Sequence, residues 1–298
     1  MADWDDLRIF LAVARGESLS AAGRTLRLDP ATVGRRVARL EGALGVALFR
    51  RSAQGYALTE AGGRLMAHAL RAEAAIQAAT GLGRGGEGGL TGQVRLGAPD
   101  GCATWLLPGV VAALAAANPG LEVQIVALPR VFNLSKREAD MAIAVSPPAA
   151  GRLVAQKVTD YRLVLAAARG YLDAHPPLAG PEDLRAHRVI GYIPDMIFDP
   201  ELDYLTAIGV TAPHLASNSV PVQFNLVRAG AGIAFVHAFA LPSAPDLVRV
   251  LPDIALTRAF WLIRHADDRR DARLTAFAAA LAEGLRRAVA RLEADGAA

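Results

Sequence analysis

Residues 20–60, SAAGRTLRLDPATVGRRVARLEGALGVALFRRSAQGYALTE, constrain this chain more than any other stretch. They read as a short helix, a turn, an arginine-rich helix and a basic hairpin. Ahead of them, Trp4, Leu7, Phe10, Leu11, Val13 and Ala14 recur at helical spacing and give a first helix an apolar face. Ser20 is placed to cap the second helix, whose inner positions Ala21, Ala22 and Leu26 include alanines small enough for close helix contact. Leu28 closes the turn. Asp29–Pro30 starts a third helix, a capping carboxylate followed by proline at the first helical position. Val33, Val37, Leu40 and Leu44 form its inward stripe, and Gly45 ends it. Leu48–Phe49 and Tyr56–Leu58 then flank a polar tip over Arg50–Gly55. Three helices followed by such a hairpin predict a winged helix-turn-helix.

Between Ser18 and Leu58 stand seven arginines, Arg24, Arg27, Arg35, Arg36, Arg39, Arg50 and Arg51, against Asp29 and Glu41, a local balance of +5. The whole chain is only +3, so the remainder sums to −2. Positive charge gathered on one small helical unit is the footprint of a polyanion partner, with DNA the foremost. On charge alone, a solvated basic face is the alternative. A helix entering the major groove by its N-terminal end presents Pro30, Ala31, Thr32 and Arg35 to base edges. Arg36, Arg50 and Arg51 then reach phosphates, with Ser52 assisting.

The run from Leu7 to Gly62 resembles the DNA-binding head of the LysR-type transcriptional regulators, through LRIFLAVARGESLSAAGRTL, RRVARLEGALGVALFRR and ALTEAG. The likeness covers the head almost without gaps. Asp29, Pro30 and Gly34 depart from it, because many members carry Ser–Gln before the recognition helix and Ser or Thr before its first arginine. Those side chains help to read or position DNA, so the contacts here, Gly34 among them, are redistributed and the operator sequence is this chain's own. The resemblance implies an α/β chain with an N-terminal winged helix-turn-helix and linker helix, followed by a two-subdomain α/β effector-binding domain resembling periplasmic binding proteins. Its expected division is 1–58 for the head, 59–89 for the linker helix and hinge, and 90–298 for the body. Within the body, one subdomain covers about 90–160 and 267–298, and the other about 161–266.

Length and composition agree: 298 residues at 53% hydrophobic content bury large cores in two or three units. All basic residues but Lys136 and Lys157 are arginines. That bias reads as a GC-rich genome, and the local clustering as function. Cys102, the single cysteine, excludes an internal disulfide and reads as a small buried hydrophobe rather than a redox sensor. An acidic N-terminus, MADWDD, and no apolar run of membrane-spanning length predict a cytoplasmic protein with no membrane contact.

Thr59 is placed to cap a linker helix in which Leu65, Met66, Ala69, Leu70, Ala74 and Ile76 recur at three and four. This stripe can bury against its copy, as the resemblance implies, or against its own head. The helix dissolves into GLGRGGEGG, residues 81–89, six glycines in nine positions, a domain boundary. A formal G-x-G-x-x-G from Gly81 to Gly86 follows a helix rather than a strand, so it is no dinucleotide fingerprint. Beyond it, strands are predicted at Val94–Ala98, Val123–Val126, Met141–Val145, Tyr161–Ala167, Val189–Gly191, His214–Ala216, Gly232–Val236 and Arg258–Ile263. Helices are predicted at Thr104–Ala117, Phe132–Glu138, near Glu201–Ile208, at Val222–Ala229 and at Asp271–Leu292. Strands separated by crossover helices imply parallel sheets. The subdomain crossings are expected near Thr159–Arg162 and His265–Asp267.

Ligands of open α/β sheets sit beyond strand ends, against helix N-termini. That rule selects Asp100, Gly101 and Thr104 after the first body strand, Arg130 after the second, Ser219 before a helix, and Tyr192 and His237 after strands of the second subdomain. Ordinary loop or cap duty is the alternative at each. No G-x-S-x-G elbow and no paired histidine spacing supports catalysis or a metal. No cofactor and no enzymatic activity are expected. The resemblance implies double-stranded operator DNA, a small-molecule effector, a second copy in a homodimer or homotetramer, and RNA polymerase as partners. A cytoplasmic solute-binding protein and a nucleoid-type DNA binder are the alternatives. The former has no need of an arginine-rich head, and the latter no need of a cleft.

Overall fold

The computed structural model of the protein describes residues 3–52, 55–81, 89–127, 139–148, 152–266, 268 and 271–296; at Arg51, Ser52 and most positions from 67 to 81 it describes the backbone alone. Helix α1, Trp4–Gly16, begins at Asp3, whose carboxylate accepts the Asp5 N–H at 3.3 Å. Helix α2, Leu19–Leu26, is capped by Ser18, not Ser20: the Ser18 hydroxyl accepts the Ala21 N–H, and by Ser20 the chain is already helical. Helix α3, Pro30–Leu44, follows an extended Asp29 with Pro30 at its first position and ends at Gly45, with φ 69°. The Asp29 side chain makes no capping hydrogen bond, so the start is fixed by proline rather than by the carboxylate.

Strands β1, Phe49–Ser52, and β2, Gly55–Leu58, pair antiparallel with Phe49 opposite Leu58. The hairpin is tied to α3 because Glu41 Oε1 accepts the N–H groups of Leu48 and Phe49 at 2.7 and 3.2 Å. Ile9, Phe10, Leu11, Val13, Val33, Val37, Leu40, Leu48 and Phe49 form the core of this unit. Leu44, expected to close the inward stripe of α3, is instead 41% exposed as the last residue of the helix. Helix α4, Glu60–Gly81, is capped by Thr59, whose hydroxyl accepts the Gly62 N–H at 3.0 Å. A Cβ on Gly62 would stand 2.1 Å from the Leu48 carbonyl oxygen, so α4 meets the hairpin only through a glycine. Leu65, Met66 and Ala69 pack into the core of the head, and Arg15 of α1 pairs with Glu73. The first half of the linker stripe therefore buries against its own head.

The chain divides into two units, Met1–Gly85 and Gly86–Ala298. The division falls within the glycine-rich segment, whose residues 82–88 lie outside the described residues. In the second unit, strand β3 (Gly92–Ala98), helices α5 (Asp100–Trp105) and α6 (Leu107–Ala117), and strands β4 (Leu121–Ala127) and β5 (Met141–Ala144) come first. Strand β6 (Leu153–Ala168), helix α7 (Arg169–Asp173), strands β7 (Val189–Gly191) and β8 (Leu215–Ala216), helix α8 (Val220–Arg228) and strand β9 (Ile233–His237) follow. Strands β10 (Leu247–Arg249) and β11 (Ala255–His265) and helix α9 (Ala272–Asp295) complete it.

The helix expected over Thr104–Ala117 is two, α5 and α6, broken at Leu106 with Pro108 in the first turn of the second. The one expected near Glu201–Ile208 is a pair of 3-10 turns, Pro200–Leu202 and Thr206–Ile208, the second closed by Gly209. The helix expected at Phe132–Glu138 lies outside the described residues. One sheet runs β4-β3-β5-β11-β6-β9-β7-β8, with β10 added on β6. Its outer parts are parallel as expected, β3 with β4 and β5, and β7 with β8 and β9. Its centre is antiparallel, because β6 and β11 run from one half of the sheet to the other and back.

Strand β6 spans 16 residues, more than twice the stretch predicted. From Leu163 onward it is continuously buried and legible, whereas exposed Gln156, Lys157 and Asp160 conceal the first half. The β6–β11 register slips between Phe260 and Trp261, and β11 pairs with β6 from Ala255 to His265 while β5 joins it at Trp261–Arg264. Leu274, Phe277, Leu281 and Leu285 of α9 pack into the body core. Among the described residues no helix is long and apolar enough to cross a membrane.

Candidate functional site

Two surfaces carry polar groups that neither core uses. On the head, Pro30, Ala31 and Arg35 are exposed at the start of α3, with Thr32 and Gly34 partly so. Arg35 donates from Nη2 to the Thr32 hydroxyl at 3.0 Å, so the two side chains expected at base edges stand together, one turn apart. The next two arginines of α3 turn elsewhere. Arg36 pairs with Asp5 and, at 2.6 Å, with Asp6, while Arg39 reaches Asp6 through Nη2 at 2.6 Å and Nε at 2.8 Å. Asp6 is 3% exposed, so the first turn of α1 holds a buried carboxylate against α3. The Arg8 hydrogen bond and the nearby guanidinium charges hold the Asp5 carboxyl below its usual range. Arg36, expected at a phosphate, is thus engaged within the head. Arg50 is exposed on β1, and Arg51 and Ser52 follow it along the same strand.

In the body, β6 and β11 bring residues from both subdomains around a small cavity of about 20 Å³, room for roughly one water. Asp100 opens α5 at its edge. Its Oδ1 accepts the Gly101 N–H at 2.8 Å, and its Oδ2 accepts the Val220 N–H at 3.0 Å from the first turn of α8. The Ser219 side chain stands beside this carboxylate and favours its charged form. Burial raises the Asp100 carboxyl, and the hydrogen-bonding groups around it pull against that rise. His237, at the end of β9, is 5% exposed, and its Nδ1 has no hydrogen-bond partner. Burial pushes this imidazole down to about 3, so it is neutral.

Tyr161 of β6 stacks between His237, at 5.2 Å, and Phe260 of β11, at 4.2 Å. Tyr192 meets Tyr204 edge-on at 5.8 Å, and burial raises both phenols. A second cavity, about 90 Å³, lies within the second subdomain and shares Tyr192, Leu202 and Tyr204 with the first as a common wall.

Asp100, Gly101, Tyr192 and His237 line the cleft cavity together, with Ser219 behind Asp100. Thr104 does not join them: its exposed hydroxyl donates to the Asp100 carbonyl at 2.7 Å within α5. Arg130 lies outside the described residues. Tyr161, Tyr204 and Phe260 escaped the sequence reading, although Tyr161 falls inside the crossing expected at Thr159–Arg162. A residue at a crossing between two subdomains faces the space between them, and that was the available signal. Cys102 also borders the cavity, with burial raising its thiol, which suits the apolar role expected of it. Among the described residues no three His, Cys, Asp or Glu side chains group to hold a metal ion.

Two family models match the chain. Residues 4–63 fit the bacterial regulatory helix-turn-helix protein, lysR family, and residues 87–286 fit the LysR substrate binding domain. The HTH-type transcriptional regulator PtxR of Pseudomonas aeruginosa is 29% identical over 254 residues, covering 83% of this chain and 81% of that protein. The HTH-type transcriptional activator TtdR of Escherichia coli K12 is 27% identical over 276 residues, covering 87% and 86%. Full-length LysG of Corynebacterium glutamicum, solved with bound effector Arg, superposes with a TM-score of 0.64 at 20% identity, covering 95% of this chain and 99% of that one. That last likeness is one of fold.

Proposed function

Because the chain belongs to the LysR family of ligand-responsive, DNA-binding transcriptional regulators, we propose that α3 reads an operator by its N-terminal turn and that the cleft around Asp100 takes the effector. Arg35 meets a base edge with Thr32 beside it, Pro30, Ala31 and Gly34 shape the approach, and Arg50, Arg51 and Ser52 hold phosphates. Arg36 positions α3 through Asp5 and Asp6 and reaches DNA only by leaving them. Asp100, Gly101, Tyr192, Ser219 and His237 contact the effector, with Tyr161, Tyr204 and Phe260 as aromatic walls. The later turns of α4 pair with a second copy, giving a dimer and then a tetramer that spaces the heads over two half-sites. RNA polymerase is the downstream partner, the cytoplasm the setting, and no catalytic step is needed.

The observation that best supports the DNA half is the exposed Arg35–Thr32 pair on the first turns of a proline-started helix. Arg35→Ala is expected to lower affinity by about 1–3 kcal/mol for a duplex selected from a random pool by the native chain. Arg50→Ala should instead weaken all duplexes alike and flatten the salt slope by about one unit. A mobility-shift titration at three salt concentrations separates the two. Unchanged sequence preference in Arg35→Ala means that α3 does not read bases as assigned.

A further inference from the structure

The cleft has an anion seat, and the chain occupies it with its own side chain. The amides of Gly101 and Val220 converge on one carboxylate with the Ser219 side chain beside it, as groups at a helix start do on bound anions. Here that carboxylate is Asp100, which crosses from one subdomain to the first turn of α8 in the other. None of the described residues lining the cavity is Lys or Arg, and His237 is neutral. Arg258, a described cation beside the aromatic wall, lies 6.0 Å over the Tyr204 ring and is committed to Glu201 at 2.8 Å. Among the described residues, an incoming carboxylate would thus find its donors taken, no counter-ion, and a like charge in the seat.

A cation finds the reverse. Asp100 supplies a counter-charge at reduced hydration, and Tyr161, Tyr192, Tyr204, Phe198 and Phe260 offer ring faces and edges. The buried Nδ1 of His237 offers a hydrogen-bonding position that no protein group fills. Space for a ring comes from the shared wall, since moving Tyr192 or Tyr204 joins the cleft cavity to the larger one beside it.

We infer that the effector of this protein is a small organic cation, a protonated amine bearing a flat apolar group, held by Asp100 against the tyrosine wall, and that Asp100 excludes carboxylates from the seat it fills. This rests on the reading of the cleft as the effector site. Binding of protonated benzylamine, benzyl alcohol and benzoate to the full-length chain tests it by calorimetry, beside Asp100→Asn and Asp100→Ser. The native chain should bind benzylamine at least about tenfold more tightly than benzoate, as one buried charge reversal demands. Asp100→Asn keeps the shape of the side chain and should erase that preference. Asp100→Ser empties the seat and should bring benzoate above benzylamine. Benzoate binding to the native chain as tightly as benzylamine overturns the inference while leaving the cleft a ligand site. An unaltered preference in a folded Asp100→Asn protein does the same. Failure of all three probes on all three proteins overturns it together with the cleft reading.

Discussion

Phe10→Ala is expected to lower the stability of the head by about 4 kcal/mol and to abolish DNA binding while the body still melts at its native temperature. Phe10 is fully buried, its ring 5.3 Å from Phe49, which in turn stands 5.9 Å from Tyr56. Its truncation removes an aromatic contact between α1 and the hairpin and leaves a cavity in the core of the head, a change in the range of about 3–5 kcal/mol. A head of some 80 residues has little more than that to lose. Urea unfolding of the full chain, followed by circular dichroism, should show the first of two transitions displaced and the second unmoved. Equal displacement of both would mean that the units Met1–Gly85 and Gly86–Ala298 do not unfold separately.

The second large effect belongs to Phe260. It is 1% exposed, stacks on Tyr161 at 4.2 Å and sits where the β6–β11 register slips. Phe260→Ala should cost the body about 3–5 kcal/mol and lower its melting temperature. The void would open beneath the Tyr161 ring, between the two strands that join the subdomains, so any ligand response should weaken with stability. The head keeps its own core, so binding to DNA in the absence of ligand should survive. Calorimetric unfolding and a mobility-shift assay on the same preparation read both. A body as stable as the native one would show that the stack contributes little and that the crossing is held by the strand ladder alone.

The head was readable in the sequence because its information is local. Apolar residues three and four apart, Pro30 at a helix start, Gly45 at a helix end and Thr59 at a cap each act within a few positions, and all but Leu44 of the α3 stripe stand in the structure where spacing put them. The Ser18 cap was misplaced by two residues because Ser18 and Ser20 are equally good acceptors by type, and only the backbone path decides between them. The sheet was readable where strands are buried on both faces and opaque where β6 passes through solvent.

The cleft was only half legible. Helix starts and strand ends selected Asp100, Ser219, Tyr192 and His237. The bond from Val220 to Asp100, however, joins positions 120 residues apart, and no periodicity announces it. Thr104 was chosen by type, but its hydroxyl is satisfied inside α5, a common fate for threonine one turn into a helix.

The carboxylates at the start of α1 change what the arginine tally of the head means. Asp5 and Asp6 neutralise part of the charge on Arg36 and Arg39 before any duplex arrives. Neutralised guanidinia displace no counterions from DNA, and each phosphate actually engaged contributes about −0.9 to the slope of log K against log salt. A tolerance of ionic strength greater than seven arginines imply therefore follows, and it is set by acidic residues paired within the head itself.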